Sequence, residues 1–363
     1  MITVVGAGPR GLSAALIAIS KGKKVTLIDP EPFSTWQTPQ TLPDFEMRSP
    51  ITFDLVTGAG EDLQIYSLAQ FLNRDIPYSE DQRTIESCSV RATRSQFTDY
   101  LQHVFNLLLP QVTYLKDPVV SIKPDRVITN YHVVDSEKII IALGKSVEEP
   151  RCPEWVSKSQ YQEQIIKGKE ILDPSPGRYL VIGSGQQAAE HILHLISKGV
   201  EVACTSQKAW TPYDYPVPDY RLWYHQTALG SYYQNLKGPS AKRRYLMEVK
   251  LWQPTISPSV FQALCQTNYL SFKGKSTEAI QEWLGEDGKI VLASGQRFVF
   301  GRLPLSRGVK ASLVNSQWPE LVRFRLPDAP SICFTGIAAL TYGGPAQGSL
   351  ISAARTAKEI LNV

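Results

Sequence analysis

Three glycines near the start of the chain, Gly6, Gly8 and Gly11, have the G-x-G-x-x-G spacing that brings a peptide backbone against a pyrophosphate. Gly6 permits a sharp turn, Gly8 has no Cβ to hold phosphate oxygens away, and Gly11 lets a helix pack closely on a strand. Pro9 and Arg10 lie inside the spacing and belong to the same candidate site. Asp29 stands roughly 20 residues on, where a carboxylate accepts hydrogen bonds from ribose hydroxyls. The pattern returns as Gly183, Ser184, Gly185, Gln186, Gln187 and Ala188, the G-x-G-x-x-A form of the same fingerprint. No acid follows this second loop at the matching place. Thr205, Ser206, Gln207 and Lys208 stand there, and hydroxyls with an ammonium suit a ribose 2′-phosphate that an acid would repel. The chemistry expected is dinucleotide binding at two loops, with NADPH preferred to NADH at the second.

Each loop needs a strand before it and a helix after it. Residues 2–5 are a β-branched run that stops at Gly6, and residues 12–19 have helical apolar spacing. The free N–H groups at the start of such a helix, and the positive end of its dipole, face the phosphates. Residues 24–28 form the next strand and end in Asp29. Around the second loop the strand is 178–182, the helix runs to a glycine stop at Gly199, and the following strand is 200–204. Residues 30–60, which include Trp36, Met47 and Arg48, are rich in Pro and Thr and read as a long functional loop. Residues 64–72 and 94–109 read as amphipathic helices. Runs at 112–115, 119–122, 127–129 and 131–134 read as a small antiparallel meander. Residues 138–144 form a buried parallel strand ending in Ala142, Leu143 and Gly144. The stretch 343–349 is a glycine-rich lead into a helix over 350–361, so Gly348 and Ser349 present N–H groups to another electron-rich partner.

Composition narrows the class. The 363 residues suffice for two domains, and 43% hydrophobic with 20% charged residues allows a sizeable core. A net charge of +4 and one short basic cluster, Lys242-Arg243-Arg244, argue against a nucleic-acid partner. The five cysteines are scattered singly, with no C-x-x-C and no zinc spacing, so neither dithiol chemistry nor a metal is expected. His191 and His194 read as one face of an amphipathic helix. No membrane span and no leader is read, and the expected address is the cytoplasm. The aromatic run Trp210, Tyr213, Tyr215, Tyr220, Trp223, Tyr224, Tyr232 and Tyr233 reads chiefly as a packed layer.

Two dinucleotide folds in this order resemble the two-domain FAD/NAD(P)H flavoproteins. Ala142-Leu143-Gly144 resembles their "ATG" strand end, Leu292 to Arg297, with Gly295, their "ATGY(R)" segment, and Phe334-Thr335-Gly336 their closing FAD contact. Within that group the chain resembles the class B monooxygenases, and most of all the ornithine and lysine N-hydroxylases. Met47 to Val56 is similar to "MQTSFLKDLV", residues 67–72 to "SFLNYL", and Gly183 to Glu190 to "GGGQSAAE". Where the family has a lysine that contacts the amino-acid substrate, this chain has Phe53; where it has a glutamine near the flavin, this chain has Arg48.

The resemblance implies an α/β fold of two Rossmann-like domains, the NADPH domain inserted into the FAD domain. The boundaries drawn are 1–148 and 294–363 for FAD and 149–293 for NADPH. It implies FAD at the first loop, NADPH at the second, and a single-component monooxygenase that passes oxygen from a C4a-(hydro)peroxyflavin to a small amine or an aromatic or indolic metabolite. Arg48 reads either as a charge near the flavin or nicotinamide phosphates or as a structural salt bridge with Asp44, Glu46 or Asp54, and Phe53 as a pocket wall, with no acid–base residue assigned. A single-component halogenase on the same scaffold is the alternative, with Lys145 as its lysine, and an NADPH-binding redox sensor or flavin reductase is the other. Partners expected are O2 and a small substrate, with homo-oligomer formation left open.

Overall fold

The computed structural model describes residues 1–34, 42, 45–76, 90–158, 160–212, 232–233, 235–238, 240–242, 244–245, 256–293, 295–309, 313–314, 318–343, 347 and 350–362. Two parallel sheets carry the two glycine loops. The first has the order Arg325–Leu326, Ala329–Phe334, Lys138–Ile141, Ile2–Val5, Val25–Ile28, Thr113–Leu115. Every pairing is parallel except that of the edge strand Arg325–Leu326. Ile2–Val5 and Val25–Ile28 are buried at every position, as strands covered on both faces must be, and this is why their sequence runs apolar rather than alternating. Each large aliphatic side chain taken fully out of water there contributes about 1.5–3 kcal/mol.

Register levels the strand ends. Val5 pairs with Ile28 on one side and Ile141 on the other, and Ile141 pairs with Phe334. Gly6, Asp29, Ala142 and Thr335 therefore leave the sheet together at its carboxyl edge, where open α/β sheets take ligands. Helix Pro9–Ser20 follows the first loop with Pro9 in its first turn, a place where the missing N–H is no loss. It packs against helix Ala353–Leu361, which buries Ala353, Ala354 and Ala357. Helix Arg94–Leu108 starts at a capping box between Thr93 and Gln96 and buries Phe97, Tyr100, Leu101, Val104, Phe105 and Leu108.

The second sheet has the order Leu270–Ser271, Glu201–Thr205, Arg178–Ile182, Lys289–Leu292, all parallel. Ile182 pairs with both Thr205 and Leu292, so Gly183, Ser206 and Ala293 again leave at one level. Helix Gln186–Ser197 follows the second loop and stops at Lys198, with Gly199 at a φ of +76°. The sheets have separate cores. The first draws on residues 2–147 and 298–361, and the second on residues within 156–293. A two-stranded antiparallel ladder, Glu148–Pro150 with Gln296–Phe298, joins the outgoing and returning chain between them.

Three local expectations change. Residues 113–115 do not join the meander; they return parallel beside Val25–Ile28, because helix Arg94–Leu108 carries the chain across the sheet. The meander has three strands, Val119–Lys123, Arg126–Thr129 and Val133–Asp135. The helix read over 64–72 is broken at Ser67, which caps helix Leu68–Phe71 by accepting from Gln70 N at 3.1 Å, behind a 3-10 turn Glu61–Tyr66. The last helix is preceded by a 3-10 turn, Leu350–Ser352, and becomes α-helical from Ala353, three residues later than its apolar spacing implied.

Candidate active site

The carboxyl edges of both sheets open onto one cleft of about 2460 Å³. That is several times the volume of a pocket for one drug-sized ligand, and room for two dinucleotides together with a substrate. Of the residues singled out from the sequence, Gly6, Gly8, Pro9, Arg10, Asp29, Met47, Arg48, Ala142, Gly144 and Gly336 line the part next to the first sheet. Gly183, Ser184, Gly185, Gln186, Gln187, Thr205, Ser206, Lys208 and Gly295 line the rest. Trp36, Gly348 and Ser349 fall outside the described residues.

The three glycines of the first loop differ in what surrounds them. Gly6 has a φ of +102°, and a Cβ there would lie 2.6 Å from Ala142 O. At Gly11 a Cβ would lie 1.8 Å from Gly6 O, so this glycine sits behind the cleft and lets the helix close on the turn. At Gly8 a Cβ would meet nothing within 4 Å. The loop thus has an open cradle at its middle glycine, above the start of helix Pro9–Ser20, and this fits a dinucleotide pyrophosphate.

Asp29 is already engaged. Its Oδ2 accepts from Ala7 N at 2.6 Å and its Oδ1 from Glu31 N at 2.8 Å. Burial raises its carboxyl above the usual value, against the pull of those two N–H groups. The acid read only as a ribose acceptor also braces the loop. Arg10 likewise serves the chain. Its Nη2 donates to Gln347 O at 2.6 Å and to Ser352 Oγ at 3.1 Å, and its Nη1 to Thr335 Oγ1 at 3.2 Å. It stitches the first loop to the closing segment, and a Cβ on Gly336 would press on its Cδ at 3.0 Å.

At the second loop, Gln186 is the first residue of its helix. Its Oε1 accepts from Ser257 N at 2.8 Å and its Nε2 donates to Glu190 Oε1 at 2.9 Å. Glu190, 1% exposed, takes both prongs of Arg94, at 2.6 and 2.9 Å. Burial raises the Glu190 carboxyl although Arg94 and Gln186 favour its charged form. Lys208 has its pKa lowered by burial and by the charge of Arg151. Arg151, Lys273 and Lys275 line the cleft with it, beyond the ends of Glu201–Thr205 and Leu270–Ser271. Cations that crowd one another at a cleft wall favour an anionic ligand.

Phe53 is not among the described residues that line the cleft. The turn 50–53 is closed by Phe53 N on Pro50 O at 3.0 Å, and Met47, Arg48 and Ser49, just before it, line the cleft. The next residue, Asp54, accepts from Val56 N, Thr57 Oγ1 and Leu68 N and so ties this loop to helix Leu68–Phe71. Lys145 sits in the 3-10 turn Gly144–Val147. His191 and His194 part company: His191 Nε2 is 3.3 Å from Gln187 Nε2, and His194 Nε2 is 3.0 Å from Leu172 O. Burial raises the Cys204 thiol to about 12 and Cys333 to about 11, so neither is a thiolate nucleophile at neutral pH. Of the aromatic run, Trp210 Nε1 donates to Tyr269 OH at 3.0 Å against the second core, and Tyr233 is buried. Residues 213–231 lie outside the description. No helix among the described residues is long and apolar enough to cross a membrane.

Sequence reasoning missed Arg94 and Glu190 as a pair, and Arg151, Lys273 and Lys275 as cleft cations. Only the last two left a local trace, as basic residues just before the Ser276 cap of helix Thr277–Leu284.

Comparison with known proteins agrees with this arrangement. The ornithine N-hydroxylase of Kutzneria sp. 744, solved with reduced FAD, NADP+ and L-ornithine, superposes with a TM-score of 0.71 at 18% identity, over 99% of this chain and 97% of that one. The cadaverine monooxygenase of Erwinia amylovora, solved with FAD, gives 0.69 at 17% identity, over 99% and 93%. The L-lysine 6-monooxygenase of Pseudomonas syringae gives 0.64 at 19% identity, over 99% and 98%. No curated protein matches the chain. The family described as L-lysine 6-monooxygenase/L-ornithine 5-monooxygenase matches residues 1–279. With two loops of the expected form on one cleft and a family match over most of its length, the chain belongs to that family of FAD-dependent, NADPH-using monooxygenases.

Proposed function

We propose that the first loop holds FAD, the second holds NADPH, and the enzyme transfers one oxygen atom from O2 to the nitrogen of a small amine. The observation that carries this reading is the shared cleft: Gly8 and Gly183 stand at the level ends of two parallel sheets and face one space. We further propose that the FAD half comprises 1–148 and 294–363 and the NADPH half 149–293. The pairing of Ala329–Phe334 with Lys138–Ile141, and the two separate cores, support this division.

The flavin, when bound and reduced, supplies the activated oxygen. The chain supplies position and dryness. The Gly6–Gly11 turn receives the pyrophosphate at a helix start, and Asp29, pinned from behind, keeps lone pairs for the ribose. Thr205, Ser206, Lys208 and Arg151 take the 2′-phosphate of NADPH. Arg48 sets a cation near the cofactors, and Met47, Leu143 and Val147 keep water from the centre. The amine is less charged than ornithine, aromatic or indolic among the options, because no lysine stands at the position from which the family contacts an amino-acid substrate.

The test is anaerobic addition of NADPH to the yellow holoenzyme, followed by air and a panel of ornithine, lysine, cadaverine, tryptamine and indole, each with and without bromide. Bleaching, then an oxygenated amine with little H2O2, supports the reading. Stimulation by ornithine above every other amine removes the substrate proposal. Bromide incorporation, or H2O2 alone with every amine, removes oxygen transfer.

A further inference from the structure

The Arg94–Glu190 pair stands in an unusual place. Arg94 begins helix Arg94–Leu108, whose apolar face lies in the core of the first sheet. Glu190 lies one turn into the helix after the second glycine loop, whose neighbours Ala188, Ala189 and Ile192 lie in the core of the second sheet. A cation in the first turn of a helix opposes the helix dipole, so local preference does not explain Arg94. Nor is a buried ion pair a strong device for stability, since apolar replacements of similar volume often fold as well. Where local rules are broken, a functional constraint is the first place to look.

The connections point to that constraint. Glu190 holds Arg94 in a two-pronged bond and, through Oε1, accepts from Gln186, the cleft residue that opens the second helix. Gln186 in turn accepts from Ser257 N. Beside them, Arg94 N donates to Phe45 O at 3.0 Å, and the Phe45 side chain packs against the second core. An ionic and an apolar contact, side by side, join the two halves at the cleft, which Arg94 and Gln186 line.

We infer that Arg94 and Glu190 are positioning residues that fix the second glycine loop relative to the first, and so set the distance over which hydride passes between the cofactors. This rests on the proposed placement of FAD and NADPH. Both substitutions Arg94→Met and Glu190→Gln keep the volume and remove the bidentate ionic bond. Flavin reduction at saturating NADPH is expected to fall about 100-fold, as misplacement of about 1 Å does. FAD occupancy and the NADP+ dissociation constant are expected to stay within about threefold.

The second readout needs no turnover. Spin labels on the exposed Cys265 and on Lys24→Cys, in a background without Cys88 and Cys152, report the distance between the halves in the apoprotein. The parent is expected to give a narrow distribution, the single variants a broad one, and the reversed pair Arg94→Glu with Glu190→Arg a narrowed one with partly restored reduction. If the single variants do not fold, Arg94→Lys and the reversed pair decide on the same two readouts. A folded variant whose reduction rate and distance distribution both match the parent overturns the inference. A parent flavin that NADPH never bleaches refutes the functional reading instead, while the distances still judge the clamp.

Discussion

Two alanine substitutions three residues apart separate packing from ligand space in the first loop. At Gly11 the added Cβ would stand 1.8 Å from Gly6 O and 2.9 Å from Gly6 C, both backbone. Carbon and oxygen rest at roughly 3.5 Å, so helix Pro9–Ser20 must retreat by more than about 1 Å or the turn must open. Overpacking of this kind costs about 1–3 kcal/mol, and the upper end applies where neither partner can rotate away. The apoprotein should then unfold about 5–10 °C earlier. At Gly8 the φ is −72° and a Cβ meets nothing within 4 Å. The loss of glycine at the helix N-cap costs a few tenths to about 1 kcal/mol. The gain from a stiffer unfolded chain is about 0.4–1 kcal/mol. These offset, and the apoprotein should be nearly as stable as the parent. FAD is another matter: a methyl in the pyrophosphate cradle should weaken it about 10- to 100-fold, or about 1.4–2.7 kcal/mol. Thermal unfolding of flavin-stripped protein and fluorescence titration with FAD measure the two quantities. If Gly8→Ala binds FAD as the parent does, or unfolds the apoprotein as early as Gly11→Ala, the reasoning about the cradle is refuted.

Asp29→Ala should destabilise even the apoprotein, by about 1–3 kcal/mol, because it strands Ala7 N and Glu31 N; an unchanged apoprotein melting point would leave Asp29 a ligand contact alone. Lys208→Ala with Arg151→Ala should raise the KM for NADPH by about 10-fold or more and leave that for NADH nearly unchanged, narrowing the preference; equal losses with both coenzymes would place the 2′-phosphate elsewhere. Asp117, buried beside the meander, has its carboxyl raised by burial but lowered further by the Thr129 hydroxyl, Tyr131 N and His132, for a net depression. A depressed carboxylate stabilises above its unfolded value of about 3.9, and that contribution is lost as pH falls through the lower folded value. The melting point should therefore fall more steeply toward acid in the parent than in Asp117→Asn, and parallel curves would count against the assignment.

The two loops were legible because each carries its own context: β-branched strand, glycine spacing and helix lie within about twenty residues of one another. Their meeting on one cleft follows from how the two sheets are set against each other, and no local pattern encodes that. Residues 113–115 looked like one more meander strand, since short alternating runs fit either an edge strand or a hairpin; the preceding helix was the better guide. Ser67 was a readable cap inside a run that apolar spacing alone joined into one helix. Glu190 lay within the quoted second-loop stretch, but its partner Arg94 is 96 residues away, and a single sequence does not report pairs through space. Correspondence with a family lysine picks out Phe53, but it does not say which side chains of that stretch face the cleft, where Met47, Arg48 and Ser49 lie. Asp29 and Arg10 show a related limit: the fingerprint names loop residues without saying which of them also hold the loop together.

On the function proposed above, electrons pass from NADPH through FAD to O2 and one oxygen atom is placed on an amine. Turnover of the purified holoenzyme with NADPH, 18O2 and the amine that most stimulates NADPH oxidation tests it directly, by mass spectrometry of the product. One 18O atom bound to the amine nitrogen, with H2O2 a minor product, is the predicted result; an unlabelled amine, with all consumed oxygen recovered as H2O2, would contradict it.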